Sequence, residues 1–573
     1  MARVPYGISN FESIRDKEKN YLYVDKTRFL HEVEEINHII HLRPRRFGKS
    51  LFLSMMDCYY DVASADKFDE LFRGLYVYDH PTPYRNRYYV LRFNFSGIQN
   101  AETDDLKNGF LEKVKTGVQR FIDRYELDIK LRESNSSAVV LNALLNGFEA
   151  LKLPNKIYIL IDEYDHFTNS VLSGDGEAFL KVLKRGGFVR SFYEIIKEYT
   201  ELGAVERIFI TGVMSVTLDS MTSGFNISTN VSTRARFADI MGFTADEVNQ
   251  VLALPFTTAK SSEQIVTLSE DERAEIFDVF KENYNGYIFS TKSNLKIFNS
   301  TLIMYYLSHY IKEGQAPESF VDLNLNQSDS TIENIVELKM PEQNYELIRE
   351  IIENKEVAGE LEPFIDITKK FDQDDVITML YSIGILTIKS AGFGVVFEIP
   401  NKVIQRIYLH YLSNLMQRKA EYRIDMRKQR LAFRELGTSG RVDKLTKIVE
   451  DFLMHVSNRN LIDLDEKHVK LMYFILTHAT EDFIVYDEFP VGNGYADIFI
   501  QKTLTSKAKY EAFIELKYLK RNATTEASIE GKLNEGIAQI ESYMKDEGLT
   551  NRPGMKKYVI VFSGYEVVKV EEI

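Results

Sequence analysis

Between Ile39 and Leu51 an apolar run (Ile39, Ile40, Leu42) breaks into Arg43-Pro44-Arg45-Arg46-Phe47-Gly48-Lys49-Ser50, and apolar character resumes at Leu51-Phe52-Leu53. No other stretch restricts the fold as strongly, because it reads as buried strand, tight loop and helix in direct succession. A loop that grips phosphate needs backbone N–H groups gathered at a helix N-terminus, a lysine for the β- and γ-phosphates and a hydroxyl for Mg²⁺. Gly48, Lys49 and Ser50 supply the second half of that pattern, but its first glycine falls at position 43, which is Arg43. By itself, Gly-Lys-Ser is also compatible with an ordinary turn.

A nucleotide loop has a second requirement, an acidic strand end that holds the metal and directs water. Ile157-Tyr158-Ile159-Leu160-Ile161 is a short apolar run of buried parallel-strand type, and it ends in Asp162-Glu163. Asp162 is expected to join Ser50 at a Mg²⁺, and Glu163 to orient or deprotonate water. A further apolar run, Arg207 to Val213, ends in Thr211-Gly212. Thr211 is therefore either a γ-phosphate sensor or simply the end of a strand. Arg207, Arg234 and Arg236 are candidates for an arginine finger.

Strands at Ile39–Leu42, Tyr88–Phe95, Ile157–Ile161 and Arg207–Val213 alternate with helical spacing at Leu106–Tyr125 and Ala138–Leu151. A Gly-containing insertion near Asp175 and Gly186-Gly187 precedes a further helix. Alternation of this kind predicts a parallel sheet with its ligand at the carboxyl ends of the strands. Ahead of it, Tyr21 to Thr27 predicts a short strand. From Thr244 the pattern turns helical (Ala245–Leu254, Glu270–Tyr284). A helix from Asp372 through Tyr381, a break at Gly384 and a hairpin across Ala391-Gly392-Phe393-Gly394 outline a winged helix.

At 573 residues the chain exceeds a single core, and 44% hydrophobic with 27% charged residues is an ordinary globular balance. Cys58 is the only cysteine, which excludes a disulfide framework or Cys-rich zinc site and fits a reducing cytosol. With no leader-like N-terminus and no membrane-length apolar run, the expected location is cytoplasmic. A net charge of -14 argues against indiscriminate coating of nucleic acid. A local basic stretch, Arg418 to Lys447, reads either as a solvated helical connector or as a nucleic-acid groove.

Near the C-terminus, Phe483–Glu488, Gly494–Ile500 and Ala512–Lys517 read as strands. Asp497 follows a glycine at a strand bend, and Glu515 and Lys517, two apart on one strand, project to the same face. Two carboxylates converging on a hard cation with a lysine beside them are the apparatus of Mg²⁺-dependent phosphodiester hydrolysis. A solvated ion-pair face is the alternative reading of Glu-x-Lys. A helix from Glu466 through Leu476 offers Glu466 to the same metal, Gln539 and Tyr543 lie on a later helix, and Lys557–Phe562 reads as the terminal strand.

The order of these pieces resembles the bacterial AAA-ATPase-like proteins with a C-terminal PD-(D/E)XK nuclease-superfamily domain. The resemblance rests on Tyr23-Val24-Asp25-Lys26-Thr27, Arg43 to Ser50, Asp162-Glu163-Tyr164-Asp165, Ser223-Gly224-Phe225-Asn226, Gly242-Phe243-Thr244, Tyr284-Asn285-Gly286-Tyr287 and Ile399-Pro400-Asn401-Lys402. That family carries the same Arg-Pro-Arg-Arg run in place of the first loop glycine. The resemblance implies an α/β multidomain chain: a P-loop NTPase parallel sheet over 1–243, a helical lid over 244–335 and a winged-helix-like module over 336–412. A basic helical connector over 413–455 and a PD-(D/E)XK nuclease-like domain over 456–573 complete it. Carried over residue by residue, it implies nucleotide binding by Lys49, Ser50 and Asp162 with Glu163 catalytic; Arg45, Arg46, Phe47, Gly48 and Leu51 of the loop and Thr211 are further candidate nucleotide contacts. It also implies a nuclease core of Asp497, Glu515 and Lys517, with metal at Ser50, Asp162, Glu466, Asp497 and Glu515. The expected cofactors are ATP and Mg²⁺, the expected partner is DNA or RNA, no membrane is involved, and a homo-oligomer is allowed. The expected function is an ATPase whose nucleotide state controls the nuclease, in defence or mobile-element handling. The alternative is a nucleotide-dependent signalling switch with a non-cleaving C-terminal binding module.

Overall fold

The computed structural model describes residues 2–98, 103–131, 133–165, 187–215, 227–257, 265–317, 319–320, 332–333, 335–336, 341–363, 365, 372–458, 465–477, 482–491, 494–503, 506–545 and 552–573. Most of the insertion near Asp175 and Gly186, and Ser223 to Asn226, lie outside the described residues. The chain forms two compact units, Met1–Gly314 with Phe320–Ile404, and Gln405–Ile573 with Gln315–Ser319.

The first unit is built on β1 (His38–Leu42), β2 (Tyr88–Asn94), β3 (Lys156–Asp162), β4 (Val205–Gly212) and β5 (Thr229–Asn230). All pair in parallel, in the order β2-β3-β4-β1-β5. Parallel strands are covered on both faces, so they read as unbroken apolar runs, and Ile157 to Ile161 are indeed all buried. Between them lie α1 (Lys49–Tyr60), α2 (Thr103–Arg124), α3 (Ser137–Ala150) and α4 (Phe188–Glu201). Helix α1 packs over β2 and β3, α2 over β2, and α4 over β4. Ile210 of β4 pairs with both Ile40 and Ile161. The loop after β1 and the acid at the end of β3 therefore stand at one sheet edge, two strand spacings or about 10 Å apart.

Tyr21 to Thr27 forms an isolated bridge from Tyr21 to Arg3, not the expected strand. Asp25 Oδ1 accepts from the Thr27 N–H and hydroxyl, a local turn that competes with strand geometry. Helices α5 (Ala245–Leu252), α6 (Glu270–Asn283) and α7 (Ser300–Glu313) follow the sheet, the first two opened by reciprocal Thr244/Glu247 and Ser269/Glu272 capping boxes. Then come α8 (Pro341–Asn354), β6 (Glu356–Gly359), α9 (Gln373–Ser382), β7 (Thr387–Gly392) and β8 (Gly394–Glu398), the strands antiparallel in the order β6-β8-β7. Two of the landmark motifs meet in this unit. Gly286, at φ +98°, lies so close to Pro400 that a Cβ there would sit 2.0 Å from the Pro400 carbonyl oxygen. Beside it, Asn401 Nδ2 donates to Asn285 O at 2.8 Å.

A helix, α10 (Lys402–Ala420), leads into the second unit, where α11 (Met426–Ser439), α12 (Asp443–Asn458) and α13 (Glu466–Thr477) precede a mixed sheet. Its strands are β9 (Phe483–Val491), β10 (Gly494–Lys502), β11 (Glu511–Leu519), β12 (Met555–Ser563) and β13 (Glu566–Glu572), in that spatial order. Only β11 and β12 are parallel. Their crossover is α14 (Glu526–Tyr543), whose Leu533 and Ile540 pack on Phe499, Phe513, Val559 and Val561. The strand read as terminal is followed by β13, an edge strand whose charged residues Glu566, Lys569, Glu571 and Glu572 hide its period. The basic stretch lies on α10 to α12. Helix α12 packs against β13 and α13, and Glu450 accepts from the Val567 N–H at 2.9 Å.

Candidate nucleotide and metal sites

At the end of β1 the chain turns through residues 43–48 and enters α1 at Lys49. Gly48 sits at φ +92°, the left-handed conformation that glycine adopts without strain, and Arg46 at φ +72°. No side chain caps α1, so the N–H groups of its first turn face the loop. Arg43 replaces the missing glycine by gripping main chain. Its guanidinium donates to the carbonyls of Leu42 (2.9 Å), Ser232 (2.7 Å) and Phe237 (2.8 Å), and lies 4.2 Å from the Phe289 ring centroid. Burial lowers its pKa to about 10. Phe47 is buried against Tyr287 and Phe289, which anchors the other limb of the loop.

Lys49 Nζ donates to the carbonyls of Arg43 and Pro44, each at 2.9 Å. Burial pulls its pKa down to about 8, opposed by Asp165, Asp162 and Glu163. Asp162 is fully buried with no hydrogen-bond partner at either carboxylate oxygen. Its pKa is raised by burial, with Ser50, Arg92 and Lys49 acting against the shift. Glu163 follows at φ +50°, an uncommon conformation for a non-glycine residue. Arg45 to Leu51 and Glu163 line a cavity of about 550 Å³ whose remaining wall includes Ile8, Leu22, Ile240, Met241 and Phe243. Asp162 does not itself line that cavity; it is a buried carboxylate within electrostatic reach of Lys49, next to Glu163, which does line it, and a group of that kind beside a helix N-terminus fits a Mg²⁺-nucleotide.

Thr211 is not brought to this cavity. It is fully buried and its hydroxyl donates to His41 O at 2.8 Å on the neighbouring strand, which is the duller of its two readings. Arg207 does not suit the arginine-finger role. It is 2% exposed, its Nε donates to the Tyr88 hydroxyl at 3.1 Å, and it stands near the start of β4, the end away from the loop. Arg236 pairs with Glu32 at 3.2 Å and with Glu35, while Arg234 is exposed.

In the second unit β10 and β11 are antiparallel with Ile498 opposite Ile514. The ladder ends at that pair; Asp497 and Glu515 are the next residues beyond it, and the Asp497 charge reaches the Glu515 carboxyl. Asp497 Oδ2 accepts from the Leu516 N–H at 2.8 Å, and Glu515 Oε1 accepts from Lys517 Nζ at 3.0 Å. Glu515 Oε2 is buried with no hydrogen-bond partner. Burial, and then the Asp497 charge, pushes the Glu515 pKa up to about 7; burial also raises that of Asp497. Lys517 Nζ also lies 3.8 Å from Glu535 Oε1 on α14. Gln539, on the same helix, keeps a buried Oε1 with no partner.

Glu466 meets the pair only through a lysine. Lys470 Nζ lies 2.6 Å from Asp497 Oδ1 and 3.1 Å from Glu466 Oε1. Among the described residues no group of three or more His, Cys, Asp or Glu side chains gathers closely enough to hold a metal, so Glu466 does not complete the expected carboxylate triad. Two carboxylates, one oxygen of them unclaimed, still fit Mg²⁺, which commonly takes one or two carboxylates and fills its shell with water and phosphate. Lys470 belongs to no motif that the sequence singles out. Its spacing from Glu466 on an amphipathic helix is the one available signal, and surface ion pairs have the same spacing.

Residues 464–572 match the PD-(D/E)XK nuclease superfamily, and residues 5–222 match a family described as a predicted AAA-ATPase. The chain is also similar to an uncharacterized protein encoded in the vnfD 5' region of Azotobacter chroococcum mcd 1. The two are 30% identical over 259 residues, 44% of this chain and 45% of the Azotobacter protein. No described helix is long and apolar enough to cross a membrane. The chain therefore carries an AAA-ATPase-like domain ahead of a PD-(D/E)XK nuclease-superfamily domain.

Proposed function

We propose that this chain binds and hydrolyses ATP at the Arg43–Ser50 loop, and that its nucleotide state controls Mg²⁺-dependent cleavage of DNA or RNA at Asp497, Glu515 and Lys517. One observation carries the reading. In each unit a buried carboxylate, Asp162 or Glu515, keeps an oxygen with no donor, a costly arrangement unless a cation belongs there. Lys49 and the first N–H groups of α1 bind the β- and γ-phosphates, Ser50 and Asp162 hold the metal, and Glu163 takes the proton of attacking water. In the second unit Asp497 and Glu515 are the metal ligands, and Lys517, braced by Glu515 and Glu535, offsets charge on the phosphodiester. Mg²⁺, when bound, lowers the pKa of water and neutralises phosphoryl charge. The α8–β8 segment is read as a winged-helix-like module, and the biological setting as defence against foreign nucleic acid or the handling of mobile elements.

The test is cleavage of single- and double-stranded DNA and RNA with Mg²⁺ or Mn²⁺, with and without ATP. Asp497→Ala is expected to lower cleavage by roughly two orders of magnitude or more. Lys49→Ala is expected to abolish ATP binding and the ATP dependence of cleavage. A wild-type chain that cuts none of these substrates would defeat the nuclease half of the proposal. The signalling-switch reading would then hold the field.

A further inference from the structure

Asp497 has two carboxylate oxygens, and both are engaged. Oδ2 accepts from the Leu516 main chain, and Oδ1 accepts the Lys470 ammonium at 2.6 Å. The same ammonium lies 3.1 Å from Glu466 Oε1, one helical turn back on α13. An ammonium held between two carboxylate oxygens occupies the kind of position a hard cation takes, with half the charge of Mg²⁺ and no open coordination site. The Lys470 side chain is 31% exposed, so its head has solvent into which it can withdraw. Lys517 differs: its side chain is 3% exposed and braced between Glu515 and Glu535, which leaves it no such freedom.

We propose that Lys470 is a built-in competitor of the divalent ion: it neutralises Asp497 in the metal-free protein and leaves that carboxylate when a cation binds. The inference rests on Asp497 and Glu515 being the metal ligands. An ammonium and a divalent ion that both approach Asp497 Oδ1 repel each other at close range, so binding of one disfavours the other. Lys470 is thus a positioning residue. It keeps Asp497 from being left without a cation before metal arrives, as Lys517 does for Glu515, at the cost of weaker metal binding.

The experiment is Mn²⁺ titration by calorimetry of the full chain in wild-type, Lys470→Met and Asp497→Asn forms. The expected result is roughly tenfold or greater tightening in Lys470→Met, and loss of binding in Asp497→Asn. Equal or weaker binding in Lys470→Met, with Asp497→Asn still abolishing it, overturns the competitor role and leaves the metal site standing. Absence of Mn²⁺ binding in both wild-type and Lys470→Met overturns both. Since Lys470→Met leaves Asp497 unpaired and is open to misfolding, a second measurement uses the wild-type chain. Amine-reactive labelling mapped by mass spectrometry is expected to rise at Lys470 on adding Mn²⁺, and to stay level in Asp497→Asn. Labelling at Lys470 that does not change while Mn²⁺ binds overturns the proposal.

Discussion

Arg43 stands where a standard phosphate loop has glycine, yet its main-chain acceptors, Leu42, Ser232, Phe237 and Ala238, and the Phe289 ring make it the anchor of this loop. Arg43→Gly would complete the familiar pattern and is expected to do harm. Leaving Ser232 O and Phe237 O without their donor costs roughly 2–4 kcal/mol, read as a lower urea midpoint, with weaker ATP binding alongside. Glu515 gives a pH prediction. Its folded pKa of about 7 lies above its unfolded value, so its neutral form favours the metal-free fold, and that contribution is lost as pH rises through about 7. Metal binding needs the charged form and moves the opposite way: Mn²⁺ affinity is expected to fall as pH drops below about 7, with Asp497 and Glu515 titrating as a pair. Calorimetry between pH 5.5 and 8.5 checks the sign. The placement of single residues was legible where period dictated it: Lys49 at a helix start, Asp162 at a strand end, Asp497 and Glu515 on adjacent strands. The roles of Arg43 and Lys470 were not legible, because they are contacts with partners distant in sequence.

The buried strands and long helices were legible for a physical reason: a strand covered on both faces is apolar where both faces are buried, as Ile157–Ile161 is, and as is the Ile208–Ile210 centre of β4. The helix, break and hairpin from Asp372 to Glu398 also follow their turn chemistry, with Asp372 capping α9. Where side-chain bonds outcompeted the backbone, at Asp25–Thr27, the expected strand did not form. Where an edge strand was heavily charged, at β13, it went unseen. Element packing makes its own prediction at Gly286, which combines φ +98° with the Pro400 carbonyl at a distance no Cβ tolerates. Gly286→Ala is expected to destabilise the first unit by roughly 2 kcal/mol or more, seen as a lower denaturation midpoint, whereas Gly531→Ala, with open space around its Cβ, is expected to be near neutral.

The whole chain divides into two compact units, each with its own sheet and its own candidate cation site. Calorimetric scans are expected to resolve two transitions. ATP-Mg²⁺ should raise the first-unit transition in wild type but not in Lys49→Ala, and Mn²⁺ should raise the second-unit transition in wild type but not in Asp497→Asn. Any coupling of the two sites in binding must be reciprocal, so ATP should change Mn²⁺ affinity by the same factor that Mn²⁺ changes ATP affinity. Factors of one in both directions, together with a cleavage rate that ATP leaves unchanged, would sever the proposed control while leaving two separate activities. The meeting of Gly286 with Pro400 also bears on ancestry. The group Gly286 meets is a main-chain oxygen that any residue at 400 presents, so among descendants of one ancestor position 286 is expected to admit far less variation than position 400.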